Sequence, residues 1–364
     1  MKLQTPFFYK HLEYRARWME GPGFEWELPA CYSTLEQESR MVREKAGFID
    51  YGHQYTLSIA GKDALRLLQK VLVNDLGKIS PGKAIYSTIV NDVGTVIDDV
   101  ICFWLDENLF LLSGIRKQQV TAWLKRHSEG MDVYLVDAGH AMLAVQGPKA
   151  REILQKAVDI DGLAYFSHMQ ADLNGMSALI GRVGFTGELG YEIYVRPEHA
   201  HRLWDTILEL GREHAIAPYG LSTGATLALE KGYLRLGDFY EGSTPLEVGL
   251  GWTVAFGKGD FIGREALLKR KSDGLQTKLM GFEVDDPQIV ASVADKLIHE
   301  GKVVGAVTRS GYGYTVKKSI GLAWVDRIHA EEGRSLDLDH DNRRMKVKLV
   351  RRQWYDPTNE RVKS

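Results

Sequence analysis

Two adjacent carboxylates, Asp98 and Asp99, lie inside a segment that otherwise reads as a strand, Thr95-Val96-Ile97-Asp98-Asp99-Val100-Ile101-Cys102-Phe103-Trp104-Leu105. Carboxylates are depleted in strands because an unpaired charge on a half-buried pleated surface is costly. Side chains alternate between the two faces of a strand, so one of the pair faces inward. A buried carboxylate must find donors, or raise its pKa and stay protonated; either state serves acid or hydrogen-bonding chemistry. The blander alternative is a pair that caps a neighbouring turn or meets a surface Lys.

Glu192 is a second such group. It follows Gly184-Phe185-Thr186-Gly187-Glu188-Leu189-Gly190-Tyr191, whose G-x-x-G-x-x-G spacing has the look of a phosphate loop. Strand-like sequence on both sides and the absence of a Lys at the required position rule out Walker and Rossmann readings. The run instead predicts a tight hairpin with its glycines at positive φ. Glu192 shares a face with Tyr194, while Tyr191, Ile193 and Val195 take the other. It is either a solvated strand residue or a carboxylate that accepts two parallel N–H donors from a flat heterocycle. Arg116 completes the set. Its guanidinium cannot lose its proton, so once buried it needs an anionic or carbonyl partner. The strand end holding Ser113 and Arg116 follows the aspartate strand by one turn and can reach the same pocket, where Arg116 would bind an acidic group on a substrate. Alternatively, Arg116 sits on the exposed start of a helix over 116–127.

Alternation and helical spacing supply the elements that position these groups. Residues 55–60 read as a strand ending at Gly61, and 62–73 as a helix with Leu65, Leu68 and Leu72 on one face. A strand over 83–90, the turn Asn91-Asp92-Val93-Gly94, the aspartate strand, an apolar run from Leu109 to Leu112 and a helix with Val120, Trp123 and Leu124 inward complete a β-α-β-β-β-α unit. That order is α+β with an antiparallel meander. A similar unit follows: a strand over 141–146, a helix opened by Gly147-Pro148, a hairpin over 177–195 and a helix over 198–213. Short alternating strands over 279–350 form a separate small β domain, with a boundary near Ser272-Asp273-Gly274.

Bulk composition narrows the function class. The chain has 364 residues, enough for two or three domains, and a net charge of -2 offers no general attraction to nucleic acid or anionic membrane. Six Lys and Arg between Arg343 and Arg352 alternate with Met345, Val347 and Leu349, the pattern of a strand with a solvated face. Two cysteines, Cys31 and Cys102, make neither a disulfide framework nor a metal cluster and fit a reducing compartment. The histidines lack zinc spacing and no G-x-S-x-G elbow is present, so no metal site and no serine hydrolase is expected. No apolar stretch approaches a membrane span and no signal peptide is read, so a cytoplasmic enzyme is expected.

Taken in order, several motifs carry a resemblance. They are Trp26-Glu27-Leu28-Pro29, Val42-Arg43-Glu44-Lys45-Ala46-Gly47-Phe48-Ile49-Asp50, Asn74-Asp75-Leu76, Lys83-Ala84-Ile85-Tyr86-Ser87, Ile97-Asp98-Asp99 and Gln146-Gly147-Pro148-Lys149-Ala150. Gly184-x-Thr186-Gly187-Glu188-x-Gly190-x-Glu192, Thr244-Pro245-Leu246-Glu247-Val248-Gly249-Leu250-Gly251 and Asp260-Phe261-Ile262-Gly263-Arg264-Glu265-Ala266-Leu267 follow. The set resembles the glycine cleavage T-protein (aminomethyltransferase) superfamily over essentially the whole chain. The resemblance implies an α+β, three-domain cloverleaf around a central folate channel, ending in a small β-barrel or jelly-roll-like domain. On this sequence it divides into 1–52 with 138–240, 53–137 with 241–273, and 274–364. It further implies one-carbon transfer to or from tetrahydrofolate, with Asp99 as the catalytic aspartate, Tyr86 lining the folate site and Glu192 gripping the pterin edge. Phe166 and Phe185 fall where the family has tyrosines against folate.

Departures from the family pattern narrow the expectation. Ser-His-Met-Gly becomes Gly52-His53-Gln54-Tyr55, the asparagine-rich strand end becomes Ser113-Gly114-Ile115-Arg116, and Gly224 stands in the position of a folate-contacting Arg. Gln54, Ser113 and Arg116 are therefore taken as lining a donor site. Glu230-Lys231-Gly232-Tyr233 and Trp354-Tyr355-Asp356-Pro357 resemble the folate domains of sarcosine and dimethylglycine dehydrogenases and tetrahydrofolate-dependent demethylases. The favoured expectation is a stand-alone demethylase that moves a methyl group from a small O-, N- or S-methyl donor to tetrahydrofolate. The alternative is the glycine cleavage aminomethyltransferase itself, which takes its carbon from a lipoyl carrier protein. A non-catalytic folate-binding protein is a further alternative, although the Cys of that branch's Lys-Gly-Cys-Tyr motif is missing.

Overall fold

In the computed structural model, which describes residues 2–21, 25–240 and 242–364, the chain builds a six-stranded mixed sheet, a five-stranded antiparallel sheet, a small two-stranded sheet and a closed barrel. The first sheet has six strands in the order His168–Asp172, Ser177–Gly181, Gly190–Val195, Ala141–Gln146, Gly47–Asp50 and Ala217–Pro218. One face is covered by the helices Ala150–Leu154 and Ala200–Leu210, whose Ile153, Leu154, Leu203, Trp204 and Ile207 pack on Phe48, Leu143, Val145, Tyr191 and Ile193. Every residue of the strands Ala141–Gln146 and Gly190–Val195 is buried, so apolar residues occupy both faces there and alternation is lost.

The second sheet runs Ala84–Val90, Val96–Asp106, Leu109–Gly114, Tyr55–Ala60 and Tyr134–Asp137. Its helices, Ala64–Val71 and Lys117–His127, cover the face formed by Val100, Cys102, Phe110 and Leu112. The opposite face meets the first sheet: Ala84, Phe103 and Leu111 share one apolar cluster with Ile49, Met142, Ala144 and Tyr194. Backbone bonds stitch this junction, from Ala84 N to the Phe166 carbonyl at 2.8 Å and from His168 N to the Gly82 carbonyl at 3.0 Å.

The strands Thr277–Val284, Lys296–His299, Lys302–Gly313, Lys318–Asp326, Ser335–His340 and Arg343–Val350 form the small β domain read from the spacing over 279–350 and close into an antiparallel barrel, as the family resemblance implies. The basic strand Arg343–Val350 points Val347 and Leu349 inward and its charges outward.

Two local expectations are corrected. The helix opened by Gly147-Pro148 spans only Ala150–Leu154, and Val158 joins the core from the segment beyond it. The turn around Gly187 is an eight-residue loop, 182–189, between the strands Ser177–Gly181 and Gly190–Val195, not a tight hairpin. Only Gly187 of its glycines has positive φ. Gly184 and Gly190 serve close approach instead: a Cβ on either would stand 2.2 Å from the Gln146 amide.

Candidate active site

Alternation along Val96–Asp106 sends its two aspartates to different environments. Asp98 is fully buried on the helix side with Val100 and Cys102. Its Oδ2 accepts from the backbone N–H of Ile115 (3.1 Å) and Arg116 (2.9 Å), holding the chain where it enters the helix Lys117–His127. Gly114 has no Cβ there because one would lie 2.7 Å from that oxygen. The capping alternative raised for the pair thus describes Asp98. Asp99, half-buried, faces the other way, and its Oδ2 accepts a 2.9 Å bond from the Tyr86 hydroxyl. Tyr86 lies on the neighbouring strand, where Thr88 pairs with Asp99 and Tyr86 with Ile101.

Among the described residues no Lys or Arg side chain donates to Asp99. Burial, followed by the charge of Asp98, pushes its carboxyl up to about 7, while the Tyr86 bond pulls the other way. Tyr86 is held well above the usual phenol range by burial and by Asp99. An unpaired carboxyl poised near neutrality can donate or accept a proton with little driving force either way.

Glu192 lies on the face of the first sheet that meets the second. It pairs with Ala144, which pairs with Ile49, giving the row Glu192–Ala144–Ile49 with a small residue at its centre. The solvated reading of Glu192 is corrected: the residue is buried, and burial pushes its carboxyl up to about 7. Its Oε2 accepts a 2.6 Å bond from Tyr194, two residues along the same face. Tyr194 in turn neighbours Ser113, whose hydroxyl donates to Gln54 Oε1 at 3.3 Å. Gln54, Ser113, Tyr194 and Glu192 therefore form a polar chain across the junction of the two sheets. Phe166, Phe185 and Ile101 pack into the apolar cluster around Tyr194. Phe185 is stacked on Tyr233 at 5.6 Å, and Phe166 has a positive φ of 57°.

Arg116 lies apart from this assembly. It stands at the N-cap position of the helix Lys117–His127 without a side-chain cap bond, and its Nη1 donates to the Ile97 carbonyl at 3.1 Å. At Gly224 a Cβ would meet Ile49 Cδ1 at 3.3 Å and the Tyr51 hydroxyl at 3.5 Å; Tyr51 and Tyr219 fill the space around that position. Two site residues escape the sequence reading. Tyr194 is noted there only as a face-mate of Glu192, whereas its hydroxyl is the carboxyl's partner. Trp252, stacked on Tyr86 with centroids 6.2 Å apart and planes 24° apart, comes from a segment distant in sequence and carries no local signal.

Two family models match the chain: the GCVT N-terminal domain over residues 7–258 and the glycine cleavage T-protein C-terminal barrel domain over residues 277–356. The aminomethyltransferase of Halothermothrix orenii is 34% identical over 357 residues, an alignment covering 96% of this chain and 98% of that protein. That of Clostridium botulinum (strain Okra) is 36% identical over 360 residues, 96% of each chain. Among solved structures, the glycine cleavage system aminomethyltransferase T from Bartonella henselae superposes with a TM-score of 0.89 at 24% identity, covering 99% of both chains. That likeness establishes the fold.

Proposed function

The chain belongs to the glycine cleavage T-protein family, and on that premise we propose that it is a one-carbon transferase that moves an aminomethyl-borne carbon from a lipoyl carrier arm to tetrahydrofolate. The names of its relatives favour this reading over the demethylase expected from the departures. The observation that carries it is Asp99: a carboxyl with a ring hydroxyl as its side-chain partner, poised near neutral pH, on the face of its strand turned away from the covering helices.

The residues fit the acceptor. Glu192 uses one oxygen on Tyr194, and no protein group among the described residues engages the other. That leaves an acceptor for a heterocyclic N–H edge, with Phe166 and Phe185 as apolar surfaces beside it. When bound, tetrahydrofolate supplies the nitrogen nucleophile that receives the carbon. Asp99 supplies or holds the proton that the departing heteroatom requires, a contribution of about 10²–10⁴ in rate. Overall, R–S–CH₂–NH₂ and tetrahydrofolate give R–SH, ammonia and methylenetetrahydrofolate, the two protons needed coming from the two acceptor nitrogens. Fixing donor and acceptor in one channel supplies the larger share of the barrier reduction. Gln54 and Ser113 line the donor side.

A methyl donor with 5-methyltetrahydrofolate as product is the second reading, favoured by the missing side chain at Gly224 and by the Gln54–Ser113 pair. One assay separates the two. The protein is incubated with tetrahydrofolate and either an aminomethylated dihydrolipoyl carrier or a panel of methoxyaromatics, methylamines and methylsulfonium compounds. Methylenetetrahydrofolate and ammonia from the carrier are expected by mass and ammonia readout. Methyltetrahydrofolate from the panel alone would overturn the proposal in favour of demethylation, and no folate product from either donor would overturn both.

A further inference from the structure

Of the eight tryptophans in the chain, Trp252 alone among the described residues is exposed, at 70%. Its backbone is not loose. Leu250 and Val254 on either side are buried, the Thr253 N–H and hydroxyl both return to the Leu250 carbonyl, and Ala255 N donates to the Val73 carbonyl at 3.0 Å. A well-anchored segment thus leaves its largest apolar side chain in solvent. That side chain lies nearly parallel to Tyr86, and Tyr86 holds Asp99. Arg352, whose charge reaches the Tyr86 hydroxyl, is committed to the Val248 and Gly249 carbonyls, and no Lys or Arg side chain among the described residues donates to Asp99. An aromatic wall beside such a carboxyl is complementary to a cation: the ring faces attract it through their quadrupoles and the carboxylate through its charge.

We propose that Trp252 is a donor-recognition residue, whose indole face receives the protonated amine borne by the transferable carbon and delivers it beside Asp99. This rests on the aminomethyl reading above and deepens it. It places the cation against Trp252 and Tyr86, beside the strand that carries Tyr86, and leaves the heterocycle to the Glu192 side of the junction. Most of the indole surface is free to accept a ligand without any rearrangement of the core, so the side chain can be removed without opening a cavity.

The test compares two stable, nearly isosteric arms that end in an ammonium and in a methyl, S-(2-aminoethyl)dihydrolipoamide and S-propyldihydrolipoamide, by calorimetry on the full chain. The wild-type protein is expected to bind the cationic arm several-fold more tightly. Trp252→Ala should lower that preference at least about threefold, within the two- to thirtyfold range of a cation–π contact, and Trp252→Phe should retain most of it. Tetrahydrofolate affinity should stay within about twofold in both variants. No cationic preference in the wild type, an unchanged preference in Trp252→Ala, or an equal loss of folate affinity would overturn the proposal. A lower kcat with a displaced pH profile and unchanged arm binding would also overturn it, assigning Trp252 to positioning Tyr86 instead. Wild-type preference for the cationic arm without methylenetetrahydrofolate production would sink the transfer reading and leave the recognition role standing.

Discussion

In the proposed reaction Asp99 works through its protonation state, and this state follows from its surroundings. Burial and Asp98 raise its pKa, so it is largely neutral below about 7. Used as an acid, it gives a kcat/KM that falls as pH rises through about 7; a limb rising over the same interval would assign it the base role instead. Asp99→Asn removes the transferable proton and should lower turnover by at least ~10²-fold with tetrahydrofolate binding retained. The same shift bears on stability. A carboxyl whose folded pKa exceeds its unfolded value binds its proton more tightly when folded, so this group costs stability as pH rises from the ordinary carboxylate range through about 7. Chemical denaturation should accordingly show Asp99→Asn gaining on the wild type at pH 8 relative to pH 4. For Glu192→Gln, calorimetry should show tetrahydrofolate binding weakened by ~1–3 kcal/mol, because an acceptor becomes a donor facing donors. Unchanged affinity would remove the clamp role.

Between strand and helix, Asp98 does the structural work that frees Asp99 for chemistry. Its Oδ2 takes two N–H groups at the start of the helix Lys117–His127, donors that no helical carbonyl can satisfy. Asp98→Ala should destabilise the protein by ~1–3 kcal/mol, the cost of stranding those donors, while a urea series on Arg116→Ala should show a smaller change. Because Asp98 also raises the Asp99 pKa, Asp98→Asn should move the pH limb of kcat/KM downward. An unmoved limb would mean that the limb belongs to another group. Just past the loop 182–189, Gly190→Ala should destabilise strongly, since its Cβ would enter the Gln146 amide. Loops of this kind look like hairpins in sequence, because glycine spacing does not distinguish positive φ from close packing.

One buried cation ties the body of the first sheet to the barrel. Arg43, from the helix Leu35–Glu44, reaches Glu230 at 2.8 Å, Glu188 at 3.2 Å, the Thr186 carbonyl at 2.8 Å and Thr315 on the barrel at 3.2 Å. Its guanidinium also stacks 3.8 Å from the Tyr355 ring centroid, and Tyr355 in turn donates to Glu188. Removing one member of a buried ion network leaves the others uncompensated, at a cost of about 3–5 kcal/mol. Arg43→Ala should therefore lower the denaturation midpoint by a corresponding amount. Loss of cooperativity between barrel and sheets would be the sign that this network couples them; an unaltered midpoint would show that the apolar contacts alone suffice.

The sequence by itself determined the parts whose logic is local. Two carboxylates in one strand must face opposite ways, Glu192 and Tyr194 must share a face, and Val120, Trp123 and Leu124 must line one side of a helix, because pleat and helical pitch fix those relations within a few residues. Ordered motifs along the chain carried the family. Tertiary structure alone decided which aspartate is buried against helices and which turns to the opposite face of its sheet. That choice depends on the side of the sheet on which Ala64–Val71 and Lys117–His127 pack. It also decided that Arg116 turns to a backbone carbonyl, that Gly184 and Gly190 exist for Gln146, and that Trp252 meets Tyr86. Each of these is a contact between segments far apart in sequence, and neither period nor propensity encodes the distance between two such side chains.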